Sequence, residues 1–127
     1  MKKNDSQKYS AMKEITDQDF DREVLKCKLP VFTCFTTEWC HSCYPTCLLA
    51  EDLVERYSGR VKFVRMDIDK SPEVSATYRV IVLPTILVFR NSKPLKKLVG
   101  FHDRKSLKRL LDGVISEEEP PRNGELS

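Results

Sequence analysis

Two cysteines separated by two residues, Cys40 and Cys43 in the run Trp39-Cys40-His41-Ser42-Cys43, are the side chains best placed to do chemistry. A pair at that spacing closes a small disulfide and reopens it. The nucleophile in such exchange is the thiolate, and a free thiol with a pKa of about 8.5 is mostly protonated near neutrality, so the site must favour the anion. Cys40 is placed to be helped. It precedes Tyr44 to Tyr57, whose apolar residues recur at helical spacing. At the head of that helix, unpaired backbone N–H groups and the dipole stabilise a negative sulfur, and a protonated His41 adds positive charge. Two other readings stand beside this one. The pair could lie inertly in a core helix, or form part of a metal site with His41 and Cys47.

Five cysteines, Cys27, Cys34, Cys40, Cys43 and Cys47, fall within 21 positions. An odd, clustered set does not resemble a structural disulfide framework. Cys47 lies one helical turn beyond Cys43, so the two share a face. It is either a buried apolar residue or a third redox-active thiol.

The elements that must position these residues are legible from periodicity and breakers. Met12 to Ile15 reads as a short strand, followed by a helix from the N-cap Thr16 to about Lys26, with Asp17 and Asp19 in its first turn. Pro30 opens a strand, Val31 to Thr36, whose unbroken apolar run suits the middle of a sheet covered on both faces. The helix after the cysteines carries Cys43, Cys47, Ala50, Val54 and Tyr57 on one stripe and ends at Ser58-Gly59. Pro45 inside it is expected to remove a hydrogen bond and loosen its first turns. Val61 to Ile68 is a third strand, and Ser71-Pro72 caps a short helix to Tyr78. The next strand starts at Thr85, because Pro84 cannot donate to a central ladder. Asn91 to Pro94 is a hairpin turn, and Leu95 to Val99 returns antiparallel before Gly100. A last helix, Arg104 to Ile115, places Leu107, Leu110, Leu111, Val114 and Ile115 on one face.

At 127 residues the chain holds one domain. Residues 1–10 are polar and expected to be flexible, residues 11–116 form the domain, and residues 117–127 are an acidic tail expected to be disordered. Residues 1–116 hold 21 Lys and Arg against 15 Asp and Glu, whereas the tail holds four Glu and one Arg. That basic surplus is dispersed and argues for solubility rather than nucleic-acid binding. The N-terminus lacks the apolar stretch of a secretory signal, and no window approaches the roughly 18 apolar residues of a membrane span, so the expectation is a cytoplasmic protein without membrane contact.

Strand-helix alternation in the order β-α-β-α-β-α-β-β-α gives an α/β fold, a mixed sheet with helices on both faces. Over about residues 12–116 the chain resembles thioredoxin. FTTEWCHSC, MDIDKSP, VLPT and VGF stand at matching mutual distances, with Leu83-Pro84-Thr85 some forty residues after Cys43 and Gly100 sixteen after Pro84. A lone CxxC is weak evidence; the four runs together are specific. The resemblance implies a thioredoxin fold and a thiol-disulfide oxidoreductase acting on protein disulfides. It implies Cys40 as nucleophile and Cys43 as the buried thiol that resolves the mixed disulfide. Pro84 is implied to be cis and to face the sulfurs, with the Leu83 backbone free to pair with an extended substrate, and Trp39 to be an exposed platform. Gly100 either lets a partner backbone approach or is a plain turn glycine. No cofactor beyond the Cys40-Cys43 disulfide is implied; a separate reductase recycles a monomer.

Departures from the family pattern concern tuning. His41-Ser42 replaces the usual Gly-Pro, and a histidine there stabilises the thiolate and makes the pair more oxidising. Cys34 stands where thioredoxins keep a buried Asp beneath the second cysteine. A thiol is the poorer proton acceptor, so deprotonation of Cys43 is expected to be slower or relayed by Glu38, His41 or water. Arg65 matches the Lys that accompanies that Asp, keeping charge without proton shuttling. His102 reads as a surface or capping residue. The direction expected is reductive. The competing reading from another class is a peptide-docking module that uses Trp39, Leu83, Pro84 and Gly100 without turnover.

Overall fold

The computed structural model describes residues 11–118. The N-terminal segment 1–10 and the tail beyond residue 118 lie outside them. The elements are β1 (Lys13–Ile15), α1 (Asp17–Phe20), β2 (Val31–Thr36), α2 (Tyr44–Leu53), β3 (Lys62–Asp67), α3 (Pro72–Thr77), β4 (Thr85–Arg90), β5 (Lys93–Val99) and α4 (Arg104–Glu118). Five strands make one sheet in the order β1-β3-β2-β4-β5. β1 and β2 run parallel to β3, β4 runs antiparallel to β2, and β5 antiparallel to β4.

All six residues of the central strand β2 are buried, as its apolar run requires. Because side chains alternate across a strand, β2 feeds two cores. Phe32 and Cys34 pack with Cys43, Cys47, Ala50, Leu53 and Tyr57 of the α2 region and with Leu107, Leu111 and Val114 of α4. Val31 and Phe35 face the other way, onto Phe20 and Val24 and onto Val74 and Val80. Each fully buried Leu or Phe stabilises the fold by roughly 1.5–3 kcal/mol, so α2 is pinned on its sheet face by a continuous apolar layer. The described helices flank both sides of the mixed sheet, the α/β arrangement expected.

Several boundaries differ from expectation for identifiable reasons. Met12 precedes β1 and is buried in the core rather than pairing in the sheet. The first helix is α-helical only to Phe20; Asp21–Leu25 widens into a π turn. Its start is as expected, with Thr16 at the N-cap and its backbone N–H donating to the Asp19 carboxylate at 3.2 Å. α2 ends at Leu53, and a 3-10 turn, Glu55–Tyr57, follows. Leu53 therefore takes the buried position expected of Val54, which is half-buried. Tyr57 is held by its hydroxyl donating to Asp112 at 2.7 Å.

Pro45 corrects a further expectation. A 3-10 turn, His41–Cys43, precedes α2, so Pro45 falls in the first α-helical turn, where an N–H would have no intrahelical acceptor. It costs no hydrogen bond. β5 begins at Lys93 because Asn91 and Ser92, with φ of 55° and 71°, complete the hairpin turn alone. Pro94 is tolerated there because β5 is an edge strand with a register shift opposite Val88 and Phe89. α4 runs to Glu118 and so takes Glu117 and Glu118 from the expected tail; no helix breaker intervenes before Pro120.

Candidate active site

β2 delivers its C-terminal end to Thr36, and a turn through Trp39 sets Cys40 at the head of the 3-10 turn. The Cys40 N–H donates to the Thr37 carbonyl at 3.4 Å and the Cys43 N–H to the Cys40 carbonyl at 3.1 Å. Cys40 and Cys43 are joined in a disulfide, with Cα atoms 5.4 Å apart. The two sulfurs differ in access. Cys40 is partly exposed and Cys43 is fully buried. Only Cys40 is open to an incoming disulfide, and a thiolate formed there sits at the positive end of the run from His41 into α2. Ser42 Oγ lies 3.4 Å from Cys40 Sγ, near enough for a weak hydrogen bond to that sulfur. His41 is exposed, with its ring set edge-on to Tyr44 at a centroid distance of 5.9 Å.

The Leu83–Pro84 peptide is cis. Pairing of Phe35 with Thr85 puts Pro84 one register step beyond, beside the end of β2 from which the cysteine turn departs. Pro84 is buried and Leu83 half-buried. The Gly100 N–H donates to the Pro84 carbonyl at 2.7 Å, bringing the third part of the chain to the same end of the sheet. Gly100 has φ of +82°, and a Cβ added there would meet nothing within 4 Å. The glycine is required by conformation, and the space beside it is open. One step further, the His102 N–H donates to Thr46 Oγ1 of α2 at 3.2 Å. His102 Nδ1 lies 2.9 Å from Ser106 Oγ in the first turn of α4, whereas the cap itself comes from Asp103, whose carboxylate accepts from the Ser106 N–H at 2.9 Å.

Around these three segments the surface is apolar. Trp39 is 70% exposed, Ile81 82%, Val82 51%, Val99 46% and Phe101 58%. The last four were not singled out from the sequence, although Ile81 and Val82 are apolar residues standing just outside a strand, which is the signal that marks them. Thr46 was also missed; a buried threonine in an otherwise apolar helical stripe is legible only once its acceptor role is seen.

Beneath the disulfide, Cys34 of β2 and Cys47 of α2 place their sulfurs 3.2 Å apart, both fully buried. Their hydrogen bond splits the pair. The contact to Cys47, together with burial, pushes the Cys34 thiol well up. The hydrogen bond from Cys34 pulls Cys47 down against the cost of burial, helped by the Arg65 charge and Thr36. Arg65 pairs with Cys34 in register on β3, is buried, and donates from Nη1 to Glu14 at 3.1 Å. Glu38 is exposed and lies 3.4 Å from Lys70. Among the described residues, no three His, Cys, Asp or Glu side chains are grouped to hold a metal.

The thioredoxin family model matches residues 11–113. The chain belongs to the thioredoxin family. It is 36% identical over 93 residues to a thioredoxin of Rickettsia bellii, covering 73% of this chain and 89% of that one. To a thioredoxin of Staphylococcus aureus it is 33% identical over 102 residues, covering 80% of this chain and 96% of the relative. Membership and the bonded cysteine pair together make this thioredoxin-family protein a thiol-disulfide oxidoreductase. No helix among the described residues is long and apolar enough to cross a membrane.

Proposed function

We propose that this thioredoxin-family protein reduces protein disulfides through Cys40 and Cys43, in the cytoplasm and as a monomer, with a separate reductase restoring the dithiol. The observation that carries the reading is the unequal access of the two bonded sulfurs, Cys40 partly exposed and Cys43 buried, inside an apolar rim. In the reduced form the Cys40 thiolate attacks a substrate disulfide, forming a mixed disulfide and releasing the first substrate thiol. Cys43 then attacks Cys40 Sγ, closing the intramolecular bond and releasing the second. Two electrons and two protons pass to the substrate, and no bound cofactor takes part.

Each remaining residue has a role in this scheme. His41 and the helix terminus favour the Cys40 thiolate, and Ser42 adds a weak hydrogen bond. Trp39, Leu83, Pro84 and Gly100 receive an extended substrate, with Ile81 and Phe101 widening the apolar platform. Arg65 and the Cys34-Cys47 pair govern the electrostatics under Cys43. Turbidity from insulin reduction with dithiothreitol tests the reading: the protein should accelerate it, and Cys40→Ser should abolish the acceleration. Equal rates with and without the protein would leave only a peptide-docking role.

A further inference from the structure

Cys34 and Cys47 stand outside the exchange described above, yet their thiols are in direct hydrogen-bond contact. Their separation of 3.2 Å exceeds a disulfide bond by roughly 1.1 Å, a difference that side-chain rotation and small shifts of α2 over β2 can absorb. The two sulfurs come from different elements, the central strand and the helix that carries Cys43. Cys43 and Cys47 belong to the same buried cluster, four residues apart along one helical face, where Cβ atoms lie about 5–6 Å apart. Both sulfurs of the inner pair are fully buried, so a bulky external disulfide reaches them only through the site above.

We propose that Cys34 and Cys47 are a second redox pair that draws its oxidising equivalents from the Cys40-Cys43 disulfide, so that one molecule stores four electrons as thiols rather than two. The proposal rests on the exchange chemistry of Cys40 and Cys43. In the first step Cys47, as thiolate, attacks Cys43 Sγ; the Cys43-Cys47 bond forms, the Cys40-Cys43 bond breaks, and Cys40 leaves as thiolate. In the second, Cys34 attacks Cys47 Sγ; the Cys34-Cys47 bond forms and Cys43 leaves. The inner pair is oxidised by two electrons, the outer pair is reduced by two, and the two protons of the inner thiols end on Cys40 and Cys43. An external disulfide then reoxidises the outer pair. The polarisation of the inner pair, with Cys47 held towards thiolate by Cys34 and Arg65, gives the first step its nucleophile.

The test uses the full chain carrying Cys27→Ser, so that this half-buried thiol takes no glutathione. The reduced protein is incubated anaerobically with excess oxidised glutathione, quenched in acid, alkylated and mapped by mass spectrometry. The expected result is loss of all four thiols, in two phases, with a peptide pair joined through Cys34 and Cys47. In the same background Cys40→Ser/Cys43→Ser should oxidise its inner pair at least roughly tenfold more slowly, since the accessible thiolate is gone. Circular dichroism confirms that this variant is folded. Retention of thiols at Cys34 and Cys47 while Cys40 and Cys43 are fully oxidised would overturn the proposal, as would equal rates in the two proteins. Insulin turnover reads separately: turnover with an inert inner pair defeats only this inference, and an oxidisable inner pair without turnover defeats only the proposed function.

Discussion

The backbone N–H of Gly100 donates to the carbonyl of Pro84 at 2.7 Å. This bond ties the end of β5 to the cis-proline turn, so the two segments beside the cysteine run are joined at the same end of the sheet. Gly100 adopts φ of +82° to make it. Gly100→Ala meets no steric obstacle but must hold an L residue in the left-handed region, at a cost of about 1 kcal/mol. Urea denaturation should show that loss, and an unchanged midpoint would mean that the loop relaxes freely and that the bond is dispensable.

The exposed apolar rim predicts a split between large and small substrates. Trp39→Ala and Ile81→Ser remove surface that is 70% and 82% exposed, so stability should change little. The KM for insulin should rise severalfold, while the rate with oxidised glutathione, which needs the cysteine pair but no extended docking surface, should hold. A parallel loss with both disulfides would assign these residues to the chemistry rather than to docking.

His41 lies next to the nucleophile in sequence and is exposed. His41→Ala, which removes the imidazole beside the thiolate, should raise the Cys40 pKa. Less stabilisation of the reduced form makes the pair more reducing. Thiolate absorbance at 240 nm, a general property of the anion, follows the titration. An unchanged pKa removes His41 from the tuning.

Stability should also titrate through Glu23, whose carboxyl is lowered from 4.5 to about 2 by hydrogen bonding to Lys62 and then to Lys13. A depressed folded pKa gives stability that is fully present above the unfolded value of 4.5 and is lost as pH falls through 2. The Lys62 ammonium also donates to the Glu23 carbonyl at 2.9 Å, fixing it over the end of the first helix. Glu23→Gln should cost about 1 kcal/mol at neutral pH, a difference that shrinks as pH falls from 4.5 towards 2 and vanishes below it. A constant difference across that range would show that the ion pair is not the source.

Much of this arrangement was legible because local signals and long-range packing agree. The unbroken apolar run of Val31 to Thr36 marked the central strand, and Pro84 set the start of β4 because it cannot donate to a ladder. Cys40 and Cys43 stand out by their spacing, and the Leu83-Pro84-Thr85 and Gly100 runs at matching distances make that signal specific. What sequence did not reveal depends on how α2 rotates over β2. That rotation decides that Cys47 meets Cys34, and that Leu53 rather than Val54 is buried; no spacing rule within one element fixes it. Pro45 was misjudged for a related reason, since the 3-10 turn at His41–Cys43 moves the α-helical start past the cysteines. The pairing of Glu14 with Arg65 joins residues 51 apart, which only the parallel register of β1 with β3 brings together.

Trapping the first intermediate tests directly whether Cys40 is the nucleophile and Cys43 the resolving thiol. Cys43→Ser leaves Cys40 able to attack a substrate disulfide and removes the thiol that resolves the product. After incubation with insulin and acid quenching, the expected product is a stable one-to-one adduct, mapped by mass spectrometry to Cys40 and absent from Cys40→Ser. An adduct on Cys27 or Cys47, or none at all in a folded Cys43→Ser protein, would contradict it.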